Sequence, residues 1–180
     1  MMRLVLVTGG ARSGKSAYAQ RRSLELGGDD VTVIVTARPC DEEMARRIAR
    51  HRAVRPACWR TVEAPTNAGA ALRAAPTDVV LLDCLTVLLS NVLLEAEAGG
   101  EEAALAAMAS ETGALLEAAA AREGTLIVVT NEVGLGIVPD ARLGRWFRDG
   151  LGVANQRLAG AADEVVLLAC GIPLTVKPQW

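Results

Sequence analysis

The segment Gly9–Ser16 has the residue types and the spacing that bind nucleotide phosphates. It fits the pattern G-x-x-x-x-G-K-S/T, with an apolar strand pattern before it and a helix pattern after it. Glycines let backbone N–H groups turn inward around phosphate oxygens, and the helix N-terminus adds partial positive charge. The sequence therefore predicts phosphate binding by Gly9, Gly10, Ala11, Arg12, Ser13, Gly14, Lys15 and Ser16.

Three side chains are candidates for the chemistry at these phosphates. Lys15 is one of only two lysines against seventeen arginines, and a compact ammonium suits the β- and γ-phosphates better than a planar guanidinium. The Ser16 hydroxyl is expected to coordinate Mg²⁺, and Asp83, which ends an apolar run, is the expected acidic partner of the ion. The alternative is a glycine-rich turn that matches the pattern by accident. The strand pattern before the motif and the helix pattern after it argue against this alternative.

His51 is the only histidine, and it lies in a strongly basic stretch. Residues 38–60 hold seven arginines and three acids, whereas the rest of the chain has a net charge of −6. Such a segment indicates a local anionic ligand or, as the alternative, a solvated arginine-rich helix face. On a helix, Met44 and Ile48 would face the core and His51 would lie beside them. A neutral imidazole can attack phosphorus, but the spacing by itself favours a structural histidine that interacts with the helix C-terminal dipole.

Apolar strand patterns alternate with helix patterns, which predicts a parallel sheet covered on both faces. The predicted strands are Arg3–Thr8, Val31–Thr36, Trp59–Glu63, Val79–Leu82, Leu126–Thr130, Val165–Ala169 and Leu174–Lys177. The predicted helices are Lys15–Leu26, a segment capped by Asp41 and ending at His51, Leu85–Ala98, Glu101–Ala121, and a segment capped by Asp140 and ending near Leu158.

Length and composition limit the class of protein. The 180 residues, 51% of them hydrophobic and 22% charged, predict one globular α/β domain spanning residues 1–180. No apolar run approaches the roughly 18 residues of a membrane span. The net charge of −2 and the 3% of aromatic residues argue against nucleic-acid binding. The four cysteines form no CxxC pair, which favours a reduced, cytoplasmic protein.

Several blocks together resemble one enzyme family, the bifunctional adenosylcobinamide kinase/adenosylcobinamide-phosphate guanylyltransferases of cobalamin biosynthesis. The blocks occur in order along nearly the whole chain: Gly9–Ser16, Asp41–Pro56, Trp59–Glu63, Leu82–Thr86, Thr130–Pro139, Phe147–Asp149, Asn155–Gln156 and Gly171–Pro173. The resemblance implies a P-loop NTPase fold of the RecA-like kind, with an antiparallel edge strand, and a homotrimer. Val35, where an alanine is usual, and Val87-Leu88, where an aromatic residue is common, leave nucleotide preference open.

The resemblance also implies the reactions and the site. Adenosylcobinamide would be phosphorylated by ATP or GTP, and GMP from GTP would then pass through a histidine to the new phosphate, with Mg²⁺ as cofactor. The nucleophile of the family falls on His51. Its nucleotide contacts fall on Gly9 to Ser16, Val35, Thr36, Ala37, Arg52, Ala53, Val54, Arg55, Glu63 and Asp83.

Two other interpretations are compatible with the phosphate loop. One is a different small P-loop kinase in which His51 is structural, and the other is a nucleotide-gated switch with little turnover. From the residues alone, Arg52, Arg55 and Glu63 could equally form surface ion pairs. We also expect Asn131 and Glu132 to begin a substrate-facing loop, since open α/β sheets bind ligands at the carboxyl ends of their strands. An ordinary capped turn is the alternative there.

Overall fold

The protein alternates strands and helices along the part of the chain that the structure describes. This computed structural model describes residues 1–178, apart from the side chain of Arg47, so the last two residues of the predicted domain lie outside it. The elements are β1 Arg3–Gly9, α1 Lys15–Gly27, β2 Val31–Val35, α2 Glu42–Ala53, β3 Arg60–Glu63, α3 Ala68–Ala74, β4 Val79–Asp83, α4 Leu85–Ala96, α5 Gly100–Ala120, β5 Thr125–Val129, α6 Arg142–Ala161, β6 Glu164–Ala169 and β7 Ile172–Lys177.

The strands form one mostly parallel sheet with the order β3-β2-β4-β5-β1-β6-β7. The first six are parallel to their neighbours, and β7 runs antiparallel to β6 at the edge. Side chains alternate between the faces of each strand. On β1, Leu4 and Leu6 therefore face the core formed with α3–α6, while Val5 and Val7 face the smaller core that contains Ala19 of α1. The predicted fold, including its antiparallel edge strand, is confirmed.

The helix α3 was missed by the sequence analysis because its stabilising contacts are distant in sequence. The carboxylate of Glu111 on α5 accepts hydrogen bonds from the backbone N–H groups of Asn67 at 3.2 Å and Ala68 at 2.7 Å. Such a carboxylate satisfies N–H groups that a helix N-terminus leaves without intrahelical partners. At Gly69, an added Cβ would lie 2.6 Å from the carbonyl oxygen of Ala114, so α3 and α5 are in close contact.

Two further helix predictions were wrong in detail. Asp140 does not cap α6: the N-cap is Ala141, which makes no side-chain hydrogen bond. Met44 and Ile48 of α2 are only half-buried and belong to neither core cluster. The reason is that α2 is mostly charged and has little apolar surface to bury. Asp41 caps α2 as predicted, accepting a 2.7 Å bond from the backbone N–H of Met44.

Candidate active site

The phosphate loop joins β1 to α1 at the carboxyl end of the sheet, as the motif predicts. Gly9 has φ +143°, and a Cβ there would lie 2.5 Å from the carbonyl oxygen of Leu168 on β6. Only glycine combines this backbone conformation with so close an approach. The β6–β7 turn also fixes the loop, since the N–H of Gly171 donates a 3.0 Å bond to the carbonyl oxygen of Ser13. The phosphate loop is therefore held in place by β6 and by the turn between β6 and β7.

Lys15 places its ammonium group inside the loop. The residue is 7% exposed, and its Nζ donates to the carbonyl oxygen of Gly10 at 2.6 Å and to Ser13 Oγ at 3.5 Å. The next side chain, Ser16, directs its Oγ to Asp83 Oδ1 at 3.4 Å. Lysine, hydroxyl and carboxylate thus occupy the arrangement expected for binding a metal–nucleotide complex.

Asp83 lies at the end of β4 and carries different contacts on its two oxygens. Oδ1 faces Ser16, while Oδ2 accepts a 3.1 Å hydrogen bond from Arg55 Nη2 and lies 3.4 Å from His51 Nδ1. Burial by itself raises the pKa of Asp83, but the hydrogen bonds and charges of His51 and Arg55 outweigh it and hold the pKa below the ordinary value. The carboxylate is therefore ionised near neutral pH.

The side chain of Arg55, two residues after the end of α2, is only 7% exposed, although α2 itself is mostly exposed. Its Nε is buried and has no hydrogen-bond partner among the described residues. A buried donor without a partner is unfavourable and commonly indicates a missing ligand or water. His51 is 35% exposed, so its ring is open on one side. The last turn of α2 and the residues just after it thus place an imidazole, and a guanidinium whose Nε lacks a partner among the described residues, beside the phosphate loop.

The other residues predicted to contact the nucleotide lie at the same carboxyl edge of the sheet but make fewer hydrogen bonds. Val35 pairs with both Glu63 and Asp83 in the parallel ladders, so the three lie side by side at the strand ends. Thr36 is fully buried, and its hydroxyl donates to the carbonyl oxygen of Cys84 at 2.8 Å. Ala37 is half-buried, while Arg12, Arg52, Ala53, Val54 and Glu63 are exposed. Within residues 1–178, the side chains of Arg52 and Glu63 make no hydrogen bond or ion pair.

The segment after β5 begins against the phosphate loop. The N–H of Glu132 donates a 3.1 Å bond to the carbonyl oxygen of Gly9. Asn131 donates its N–H to Thr86 Oγ1 at 2.7 Å and accepts a 3.0 Å bond from Asn155 Nδ2. Thr130 donates from Oγ1 to Asn155 Oδ1 at 2.8 Å. The sequence analysis expected Asn131 and Glu132 to begin a substrate-facing loop but gave Thr86, Thr130 and Asn155 no role. Hydroxyl or amide residues at strand ends were the signal that it did not use.

The side chains present fit a magnesium ion bound together with nucleotide. Mg²⁺ in such sites is bound by one or two carboxylates and substrate phosphates, and the Ser16 and Asp83 oxygens lie together above the loop. Among the described residues, no group of three or more His, Cys, Asp or Glu side chains could hold a metal ion alone. The arrangement combines an anion cradle with an imidazole, which is suited to phosphoryl or nucleotidyl transfer.

Comparisons with known proteins agree with this chemistry. Residues 5–176 match the family model described as cobinamide kinase / cobinamide phosphate guanyltransferase. The bifunctional adenosylcobalamin biosynthesis protein CobU of Salmonella typhimurium is 45% identical, with 97% of this chain and 99% of that protein aligned. The CobP protein of Pseudomonas aeruginosa, which carries the same description, is 42% identical, with 97% of each chain aligned.

Structural similarity is consistent with the fold. A solved ATPase from the type III secretion system of pathogenic bacteria superposes with a TM-score of 0.60 at 14% sequence identity. The match covers 93% of this chain and 51% of that chain, so this chain spans about half of the ATPase. At this identity the likeness concerns the fold alone. Within residues 1–178, no helix is long and apolar enough to cross a membrane.

Proposed function

Because this chain belongs to the cobinamide kinase / cobinamide phosphate guanyltransferase family, we propose that it phosphorylates adenosylcobinamide and then converts the product to adenosylcobinamide-GDP. The observation that carries the proposal is the position of His51, whose Nδ1 lies 3.4 Å from an Asp83 carboxylate that also faces Ser16 of the phosphate loop. A nucleophilic imidazole and a phosphate cradle thus share one carboxylate.

In the kinase reaction, the hydroxyl of the aminopropanol arm attacks the γ-phosphorus of ATP or GTP. The new P–O bond replaces the bond to the nucleoside diphosphate, which leaves as the hydroxyl loses its proton. Lys15 holds the β- and γ-phosphates, and backbone N–H groups of Gly9–Ser16 surround them. Ser16 and Asp83 would hold Mg²⁺, which would supply charge neutralisation at the phosphates. Positioning and charge stabilisation by these groups supply the catalysis.

In the guanylyl transfer, His51 attacks the α-phosphorus of GTP, and the P–O bond to pyrophosphate breaks. A proton on Nδ1 directed at Asp83 Oδ2 leaves the lone pair on Nε2, which is the attacking atom. A phosphate oxygen of adenosylcobinamide phosphate then attacks phosphorus, and the P–N bond breaks to release the imidazole. Two displacements, each with its own positioned nucleophile, replace one difficult step.

The other nucleotide contacts of the proposal follow from the family resemblance. They are Val35, Thr36, Ala37, Arg52, Ala53, Val54, Arg55 and Glu63. Support comes from their shared edge of the sheet and from the buried Nε of Arg55 that lacks a partner among the described residues. The resemblance also leads us to propose that the protein is a homotrimer in the cytoplasm.

The test is covalent labelling with GTP radioactive at the α-phosphate, in the presence of Mg²⁺. We expect acid-labile, alkali-stable label on the denatured wild-type protein and none on His51→Ala, because a phosphoramidate has this stability. Arg46→Ala, an exposed position of the same helix, is the matched control and should retain the label. Unlabelled wild-type protein that still phosphorylates adenosylcobinamide would indicate a simple kinase, and binding of GTP without either transfer would indicate a switch.

A further inference from the structure

The segment Val133–Pro139, here called the apolar loop, exposes large hydrophobic side chains beside the active site. It contains no charged residue. Leu135 is 91% exposed, Ile137 is 97% exposed and Val138 is 56% exposed. Single exposed aliphatic residues are common on protein surfaces. Three of them within four consecutive residues, next to a phosphate site, form a patch that is typical of ligand or partner binding.

Both ends of the apolar loop are fixed by hydrogen bonds. Before it, Glu132 N–H is bonded to Gly9 of the phosphate loop, and Glu132 Oε1 accepts a 2.6 Å bond from the N–H of Gly134. After it, Arg145 Nη1 donates to the carbonyl oxygen of Pro139 at 3.0 Å. The exposed side chains therefore lie between two hydrogen-bonded ends, and the first of these is bonded to the phosphate loop.

A polar groove lies at the start of α6, and one of its lining residues, Arg142, follows the last residue of the apolar loop by three positions. The groove has a volume of about 450 Å³, and its lining includes Leu94 and Glu95 of α4 and Arg142, the first residue of α6. Arg142 also stacks over the ring of Trp146, with 5.3 Å from Cζ to the ring centroid. The uncharged, apolar loop is thus followed within three residues of the chain by a side chain that lines a polar groove.

This pattern does not suit a nucleotide, whose phosphates and sugar need donors and positive charge. It does suit the acceptor of the proposed reaction, a corrinoid whose large ring carries methyl groups and uncharged amide side chains around its periphery. We infer that the apolar loop binds the corrinoid ring, with Leu135 and Ile137 in contact with it and the groove at Arg142 receiving amide groups. This inference rests on the proposed function, and it assigns a part of the acceptor site.

The test uses the double variant Leu135→Ser/Ile137→Ser and measures three properties. The first is covalent labelling by GTP alone, which needs no corrinoid. The second is KM and kcat for adenosylcobinamide phosphate, and the third is the mass of the assembly by analytical ultracentrifugation. The control is Val176→Ser on the edge strand β7, which removes a 63% exposed aliphatic side chain away from the loop.

We expect the double variant to be labelled at the wild-type rate and to keep the wild-type mass. Its KM for the corrinoid phosphate should rise roughly 10- to 100-fold, because two large aliphatic side chains lose their buried contact with the ring. Val176→Ser should leave KM unchanged. These results together would support the inference.

Three other results would contradict it. An unchanged KM in a labelled double variant would exclude the apolar loop as a ring contact while leaving the proposed function intact. A fall in the mass of the assembly would instead identify the loop as a contact between copies of this chain. Wild-type protein that neither takes up label nor modifies the corrinoid would overturn the proposed function and the inference with it.

Discussion

Removal of the guanidinium in Arg55→Met is expected to destabilise the unliganded protein by about 3 kcal/mol. Arg55 Nη2 lies 3.1 Å from Asp83 Oδ2, and the two side chains are 7% and 8% exposed. Loss of one partner of a buried ion pair costs about 3–5 kcal/mol, because the other charge stays buried without compensation. The lower end applies, since His51 and Ser16 still contact the carboxylate. For a chain of this size the change corresponds to a fall in Tm of about 6–12 °C.

The pH dependence of this loss has a defined sign. The pKa of Asp83 is lowered despite burial, by His51 and Arg55. A carboxyl group with a lowered folded-state pKa stabilises the protein above its unfolded pKa, and this contribution disappears as the pH falls through the folded value. In Arg55→Met, only His51 remains to oppose the effect of burial on the pKa of Asp83. Asp83 therefore takes up its proton at a higher pH than in wild type. The difference in stability is therefore largest near neutral pH, and it shrinks as the pH falls through the pKa of Asp83 in the variant towards the lowered pKa of Asp83 in wild type.

The assay is urea unfolding followed by circular dichroism, in EDTA and without nucleotide. Arg38→Met is the control, because the ion pair of Arg38 with Glu95 is about half exposed and should contribute less than about 1 kcal/mol. The double variant Arg55→Met/Asp83→Asn should lose less stability than the sum of its single changes, since no buried charge is left. If Arg55→Met lost no more than Arg38→Met at neutral pH, Asp83 could not be the buried, ionised carboxylate described above.

Two further predictions concern the α3–α5 contact and Glu132, the residue just before the apolar loop. Gly69→Ala should destabilise the protein by about 1–3 kcal/mol through overpacking against Ala114. The control is Gly152→Ala, where the added Cβ meets open space; it should stabilise α6 by about 0.5–1 kcal/mol in the same unfolding assay. Equal effects of the two substitutions would contradict the close contact between α3 and α5. Glu132→Gln keeps an acceptor for Gly134 N–H but removes the charge, so transfer to the acceptor should slow roughly 10- to 100-fold, the effect of one hydrogen bond to a charged group. Unchanged rates in both half-reactions would exclude a substrate-facing role.

The strands were predictable because buried parallel strands leave a strong local pattern. Val31–Val35 and Val79–Asp83 are apolar runs ended by polar residues, and each lies within about a residue of the predicted segment. The helix α3 was not predictable in this way. Its seven residues have neither a capping side chain of their own nor a long apolar period, and the cap comes from Glu111, more than forty residues away.

The site was only partly predictable for a related reason. The phosphate loop is a continuous motif, so its residues and their roles could be proposed from spacing. The contact between His51 and Asp83 joins a helix to a strand end 32 residues away, and nothing in the spacing states which carboxylate faces the imidazole. The burial of the Arg55 side chain was equally hidden, because the three residues before it are all exposed. Only the family resemblance favoured His51 over a histidine with a purely structural role.

The polar residues at the strand ends explain how one sheet edge can serve both a nucleotide and a second substrate. Thr36 binds the backbone of Cys84 in both directions, at 2.8 and 3.1 Å, and ties the end of β2 to the end of β4. Thr86 and Asn155 continue this connection to Asn131 at the end of β5. Thr36 is fully buried and Thr86 is 8% exposed, so loss of either hydroxyl would remove hydrogen bonds in a region that water reaches poorly. Because the N–H of Glu132 is bonded to the carbonyl oxygen of Gly9, the same hydrogen-bonded edge connects the phosphate loop to the start of the apolar loop.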